Sequence, residues 1–79
     1  MTAVFSKTLV RELHVRSFEI LPDSASGWQL FEREDERVFH RQRYTDWHRV
    51  ERAAMMLEQV VCDLQRDGWH ELPRSAEIL

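Results

Sequence analysis

The chain has 79 residues, of which 43% are hydrophobic, and a formal net charge of −3. This length predicts one small domain, and the apolar content excludes an intrinsically disordered chain. The mild negative charge gives no whole-chain reason to expect binding to nucleic acid or to an acidic membrane surface. No apolar run in the sequence approaches the ~20 residues that a membrane-spanning helix needs.

The cysteine content and the N-terminal sequence both bear on location. Cys62 is the single cysteine, so no disulfide can form within the chain, which is typical of a reducing compartment. The N-terminal residues lack the uninterrupted apolar core of a signal peptide, because Arg11 and Glu12 interrupt it. We therefore expect a cytoplasmic protein that does not bind membranes.

The first segment, Met1 to Leu13, supports more than one interpretation. Val4, Phe5 and Leu9 would share one side of a short helix. Alternatively, the segment is loosely ordered or adds a strand to a sheet. The run from about Leu13 to Leu21 has the composition of an extended segment and predicts a strand.

The middle of the chain predicts an antiparallel hairpin. A loop from Pro22 to Gly27 combines proline, aspartate, serine and glycine between two apolar runs. An aromatic, alternating strand follows from Trp28 to Glu34, and a second strand extends from Arg37 to Tyr44. Because only a short charged turn separates these two strands, they are expected to pair with each other.

The hydrophobic pattern predicts the register of this hairpin. A three-residue loop from Glu34 to Glu36 places Phe31 opposite Phe39, whereas an even-numbered loop would pair Phe39 with Glu32. Register follows the apolar pattern when one face is buried, so the odd loop is favoured. One face then holds Trp28, Leu30, Val38, His40 and Tyr44, and the other holds Gln29, Phe31, Arg33, Arg37, Phe39, Arg41 and Arg43.

A long amphipathic helix is predicted from Thr45 to Gly68. Thr45 or Asp46 can cap its start, and Gly68 can adopt the left-handed conformation that ends a helix. Trp69 is expected to fold back on the core. The apolar stripe repeats at spacings of three and four: Trp47, Val50, Ala54, Leu57, Val61 and Leu64, widened by Ala53, Met56 and Val60.

Together these elements predict a single α+β domain over residues 1–79. We expect an antiparallel β-meander of about three strands packed on one long C-terminal α-helix. The ordered core is predicted over about residues 9–72, and residues 73–79 are predicted to form a tail.

The residue patterns do not indicate an enzyme. The four histidines lack the i, i+4 spacing and the nearby cysteines of zinc sites. Cys62 lies beside the apolar stripe of the helix, where a cysteine usually acts as a small hydrophobe. The chain has two glycines, which excludes a glycine-rich phosphate loop. We therefore predict no catalytic residue, no cofactor and no metal site.

The predicted functional feature is an interaction face formed by Phe31, Arg33, Arg37, Phe39, Arg41 and Arg43. One helix covers one face of a sheet, so this face stays exposed unless the N-terminal segment covers it through Val4, Phe5 and Leu9. Aromatic residues mixed with arginine are typical of protein interfaces. We expect a homodimer or another protein partner, with the dimer pairing either these sheet faces or the helix stripes at Met55 and Met56.

Nucleic-acid binding is the alternative function of the same face. Aromatic side chains can stack on bases while neighbouring arginines contact phosphates. The acidic residues between Glu32 and Glu36 weaken the positive field, however, which favours a protein partner.

Overall fold

The computed structural model describes residues 3–72 as a five-stranded antiparallel sheet packed on one helix. The α+β meander with one long C-terminal helix is confirmed, with four long strands and a short fifth instead of about three. The predicted tail lies outside the described residues. No helix within residues 3–72 combines the length and the apolar character needed to cross a bilayer. The elements are β1 (Phe5–Arg11), β2 (His14–Pro22), β3 (Trp28–Glu34), β4 (Arg37–Tyr44), α1 (Trp47–Arg66) and β5 (His70–Glu71).

The sheet order is β4-β3-β2-β1-β5, so the N-terminal segment joins the sheet as β1. The helical interpretation of this segment is wrong. Phe5 pairs with Ile20 and Leu9 pairs with Arg16 across the β1–β2 ladder. Both Phe5 and Leu9 are buried in the core that α1 covers. They therefore lie on the helix side of the sheet and cannot cover the opposite side.

The core forms between α1 and the central strands. The sheet contributes Phe18, Ile20 and Leu30, whereas Met56 and Cys62 of α1 are exposed to solvent. The prediction that Met56 widens the buried stripe is therefore wrong, as is the packing of Cys62 as a small hydrophobe. The buried residues of α1 are Val50, Ala53, Leu57 and Val61. Ala54, Val60 and Leu64 of the predicted stripe are partly buried and pack against the same core, whereas Trp47 is 45% exposed.

Both ends of α1 follow the local sequence signals. The Asp46 side chain accepts a hydrogen bond from the His48 backbone N–H at 3.1 Å, which satisfies a free donor of the first turn. Gly68 has a φ of 95°, the left-handed conformation that favours glycine. The Trp69 N–H donates to the Leu64 carbonyl at 3.0 Å. This closure turns the buried Trp69 side chain back onto the core, as predicted.

The turn between β3 and β4 differs from the predicted three-residue loop. It has two residues, Asp35 and Glu36, with φ values of 50° and 70°, as in the type I′ turns that match the twist of a hairpin. The left-handed conformation costs a non-glycine residue about 1–2 kcal/mol. The Asp35 N–H donates to the Val15 carbonyl at 2.8 Å, and the Val15 N–H donates to Asp35 Oδ1 at 2.9 Å. These hydrogen bonds to β2 offset the strain in the turn.

A β-bulge follows the turn and changes the register a second time. Glu34 pairs with Arg37 and Arg33 pairs with Val38, but the ladder shifts between Glu32 and Arg33. Beyond this shift Glu32 pairs with His40, so Phe39 is the extra residue of β4. The predicted pairing of Phe31 with Phe39 is therefore wrong.

Replacing the two turn residues by glycine should have opposite effects. Glu36→Gly removes a side chain from a left-handed position and should raise the free energy of unfolding by up to about 1 kcal/mol. Asp35→Gly relieves the same strain but loses the carboxylate that accepts the Val15 N–H, so stability should fall. Urea denaturation of both variants tests this, and a loss of stability in Glu36→Gly would contradict the two-residue turn.

Candidate interaction surface

The sheet surface opposite α1, which we call the outer face, is not covered by any of residues 3–72. Its membership follows from strand alternation: Phe5, Leu9 and Phe18 point to the core, so their neighbours along each strand point away. The outer face includes side chains from all four long strands: Thr8, Val15, Ser17, Phe31, Arg33 and Arg41.

The structure divides the predicted six-residue face between the two sides of the sheet. Phe31, Arg33, Arg41 and Arg43 lie on the outer face as predicted. Arg37 and Phe39 lie on the helix side. Arg37 is opposite Glu34 in the β3–β4 ladder, and the Phe39 ring contacts Arg16. The bulge causes this division, because its extra residue reverses the alternation between the turn and the rest of β4. Val38, predicted on the helix side, is correspondingly turned outward and 40% exposed.

Phe31 forms the aromatic centre of the outer face. Its ring lies under two guanidinium groups, with Arg33 Cζ 5.1 Å and Arg41 Cζ 5.6 Å from the ring centroid. Both distances are within the range of cation–π contacts. Arg33 also forms an ion pair with Glu19, whereas Arg41 has no acidic partner within residues 3–72. The Arg41 charge is therefore available to a ligand or a partner.

Arg43 holds the β2–β3 loop in place. Its Nε lies 2.8 Å from Asp23 Oδ2, and its Nη2 donates to the Ala25 carbonyl at 3.2 Å. The hydrogen bond from Arg43, together with those from the backbone N–H groups of Ala25 and Gly27, lowers the pKa of Asp23 to about 2. A side chain at Gly27 would come within 2.7 Å of the Tyr44 carbonyl oxygen. Arg43 thus has a structural role in this loop.

Next to Phe31 the outer face is concave. A cleft of about 470 Å³ is lined by Thr8, Val15, Ser17 and Arg33, with the β3–β4 turn at one end. Thr8 and Ser17 are small and face each other across β1 and β2. The outer face thus presents an aromatic side chain and a hollow side by side.

Sequence reasoning missed a cluster on the helix side that surrounds Arg16. The Arg16 guanidinium carbon lies 5.4 Å from the Phe18 ring, 5.3 Å from the Phe39 ring and 5.9 Å from the Trp69 ring. Its Nε is 3.6 Å from Glu34 Oε1. Arg16 is two residues from the buried Phe18 in β2, and this spacing could have indicated that both face the core. Phe39 and Trp69, the other two aromatic partners, come from distant parts of the chain.

His14, Glu34 and Asp35 bring three potential ligand atoms within 4.8 Å of one another. His14 Nδ1 lies 2.9 Å from Asp35 Oδ2, and the other Asp35 oxygen accepts from the Val15 N–H. Glu34 is near Arg16. Because groups of the protein already contact these atoms, the cluster is explained as a clasp between the β1–β2 and β3–β4 turns. The hydrogen bond raises the pKa of His14 and, with the Val15 N–H, lowers the pKa of Asp35.

Comparisons of the chain with models of protein families, with curated proteins and with solved structures find no match.

The His14–Asp35 clasp predicts a pH dependence of stability. The raised pKa of His14 means that its contribution is complete below the ordinary value of 6.5 and is lost as the pH rises through the folded-state pKa. The lowered pKa of Asp35 means that its contribution is complete above 3.8 and is lost as the pH falls. The clasp is therefore strongest between these two values.

Thermal unfolding from pH 5 to pH 9 measures this effect. Relative to the wild type, His14→Gln should be destabilised at pH 5 and nearly unaffected at pH 9. His40→Gln removes an exposed histidine of β4 that has no ion-pair partner in the described part of the chain, and should keep the wild-type pH profile. A constant difference between His14→Gln and the wild type across this range would contradict the clasp.

Proposed function

We propose that the protein is a cytoplasmic, non-enzymatic interaction module that forms a homodimer through its outer face. The observation that supports this is the uncovered sheet surface around Phe31: α1, Phe5 and Leu9 all lie on the opposite side. Val15 and Val38 on the same surface are 41% and 40% exposed. An exposed apolar patch on a small domain usually marks an interface.

The shape of the outer face suits a twofold dimer. In such a dimer the same patch occurs on both partners, so a residue that inserts must find its receptor on the same patch. Phe31 is partly buried beneath Arg33 and Arg41, and in the proposed dimer it inserts after these two side chains move aside. Its receptor in the second copy is the cleft lined by Thr8, Val15, Ser17 and Arg33, with Asp35 and Glu36 at one end. The Arg33–Glu19 ion pair neutralises one arginine of the patch, which reduces repulsion between the two copies.

Sedimentation at micromolar concentration tests the dimer. The wild type should have twice the monomer mass of 9.5 kDa. Phe31→Glu and Ser17→Arg, which alter the inserting group and its receptor respectively, should each raise the dissociation constant at least about tenfold. Circular dichroism and thermal unfolding verify that the variants are folded.

Met55→Glu on α1 is the matched control, because Met55 is 73% exposed on the other side of the molecule. It should leave the mass unchanged. A strictly monomeric wild type at all concentrations would contradict self-association, and dissociation by Met55→Glu alone would move the interface to the helix.

Single-stranded nucleic acid is a second candidate ligand of the outer face. The supporting observation is Phe31 beneath Arg41, whose guanidinium has no acidic partner in the described residues. An aromatic ring next to a free arginine is the arrangement that stacks a base and contacts its phosphate. The Glu19 carboxylate beside Arg33 weakens this arrangement, so we place it second.

Titration of a labelled single-stranded DNA oligonucleotide distinguishes the two functions. If nucleic acid is the ligand, binding should weaken steeply with salt and be lost in Arg41→Glu. Arg66→Glu at the far end of α1 should bind like the wild type. An absence of binding at low salt, or equal binding by Arg41→Glu, would remove this candidate.

A further inference from the structure

The edge of the sheet formed by β4 is a second surface available for binding. In the order β4-β3-β2-β1-β5, β4 has β3 as a neighbour on one side and nothing from residues 3–72 on the other. Every residue of β4 except Tyr44 is exposed. The free edge of a strand presents unpaired N–H and C=O groups that can bind another extended chain.

The regular part of this edge is short. The bulge at Phe39 interrupts the ladder near the turn, so uninterrupted pairing geometry is limited to His40–Tyr44. This length suits one extended peptide segment.

A cleft of about 290 Å³ continues this edge on the helix side. It is lined by Tyr44 at the end of β4 and by Arg49, Arg52, Ala53 and Met56 of α1. The Met56 side chain, 68% exposed, forms an apolar wall. An extended chain that pairs with β4 would direct alternate side chains toward this cleft and toward the outer face.

The charged side chains of β4 are all basic, although Glu32 and Glu34 of β3 lie across the ladder from His40 and Arg37. Arg37, Arg41, Arg49 and Arg52 have no ion-pair partner among residues 3–72. The nearby Glu51 is engaged with His48 at 3.5 Å. β4 itself contains three arginines and one histidine and no acidic residue. Two β4 edges from two copies would therefore repel each other, whereas a segment of opposite charge would be attracted.

We propose that β4 binds an extended acidic peptide segment as an added strand, with carboxylates and apolar residues in alternation. The carboxylates contact Arg41 on the outer side, and the apolar side chains enter the cleft against Tyr44 and Met56. Arg49 and Arg52 line the same cleft and strengthen the attraction for an acidic chain. This binding uses the edge of the sheet and does not depend on self-association through the outer face.

The test uses the labelled peptide Glu-Val-Glu-Val-Glu-Val-Glu and fluorescence anisotropy with the full chain. Arg41→Glu and Arg52→Glu should each weaken binding at least about tenfold. Arg66→Glu, a helix arginine at the end distant from β4, should change the dissociation constant less than about twofold. A peptide with lysine in place of every glutamate should not bind. No binding of the glutamate peptide by the folded wild type would overturn the proposal.

Two N-methylated peptides distinguish strand addition from simple charge attraction. Methylation of every odd residue or of every even residue removes donors from opposite edges of the peptide, and only one edge faces β4. One methylated peptide should therefore lose binding while the other keeps it. Equal binding by both would overturn the proposal, because backbone pairing would then be absent.

Hydrogen exchange identifies the occupant of the edge. Within residues 40–44, the amides that point away from β3 should gain protection when the peptide is added. Protection of these amides in the protein alone, rising with protein concentration, would assign the edge to a second copy and overturn the proposal. Stronger binding of single-stranded DNA than of the peptide, lost in Arg52→Glu, would assign the cleft to phosphate groups with the same consequence.

Discussion

The hydrogen bonds between Asp35 and Val15 are the constraint on which the arrangement of the sheet surfaces depends. Asp35 and Glu36 both adopt left-handed backbone conformations, which neither residue favours by itself. The pair of bonds to Val15 attaches the turn to the start of β2, and His14 adds a contact to the same carboxylate. The β3–β4 turn is therefore held by β2, the strand on the other side of β3 from β4. The geometry of the turn determines how β4 begins.

The bulge follows from this turn and resolves a conflict in the hairpin. A two-residue turn alone would place charged and apolar side chains on the same faces of β3 and β4. The extra residue at Phe39 restores the alternation, so that Tyr44 packs against the core while Arg41 joins Phe31 on the outer face. The side chains nearest the turn are displaced from their predicted faces. Val38 points outward, and Phe39 joins the cluster around Arg16. One local irregularity thus decides which aromatic residue is available on which surface.

The molecule separates a structural side from two candidate binding surfaces. On the helix side, α1 and Trp69 bury the apolar residues of the central strands, and the Arg16 guanidinium lies against three aromatic rings. The outer face and the β4 edge remain uncovered by the described residues. They differ in chemistry. The outer face combines Phe31 with a hollow that contains small residues, whereas the edge combines free backbone groups with Arg37 and Arg41, which have no ion-pair partner among residues 3–72. This difference is why we propose a second copy as the partner of the outer face and an acidic segment as the partner of the β4 edge.

Features that depend on neighbouring residues could be predicted from the sequence alone: the α+β class, β3 and β4 with their bounds, a cap of α1 at Thr45 or Asp46, and its end at Gly68. Each has a local physical cause, namely side-chain alternation, a capping carboxylate or the conformational freedom of glycine. The register of the hairpin, the separation of Phe31 from Phe39 and the exposure of Met56 could not be predicted in this way. They depend on contacts between distant residues. Val15 holds a turn whose conformation its own residues disfavour, and Met56 lies outside the side of α1 that packs on the sheet.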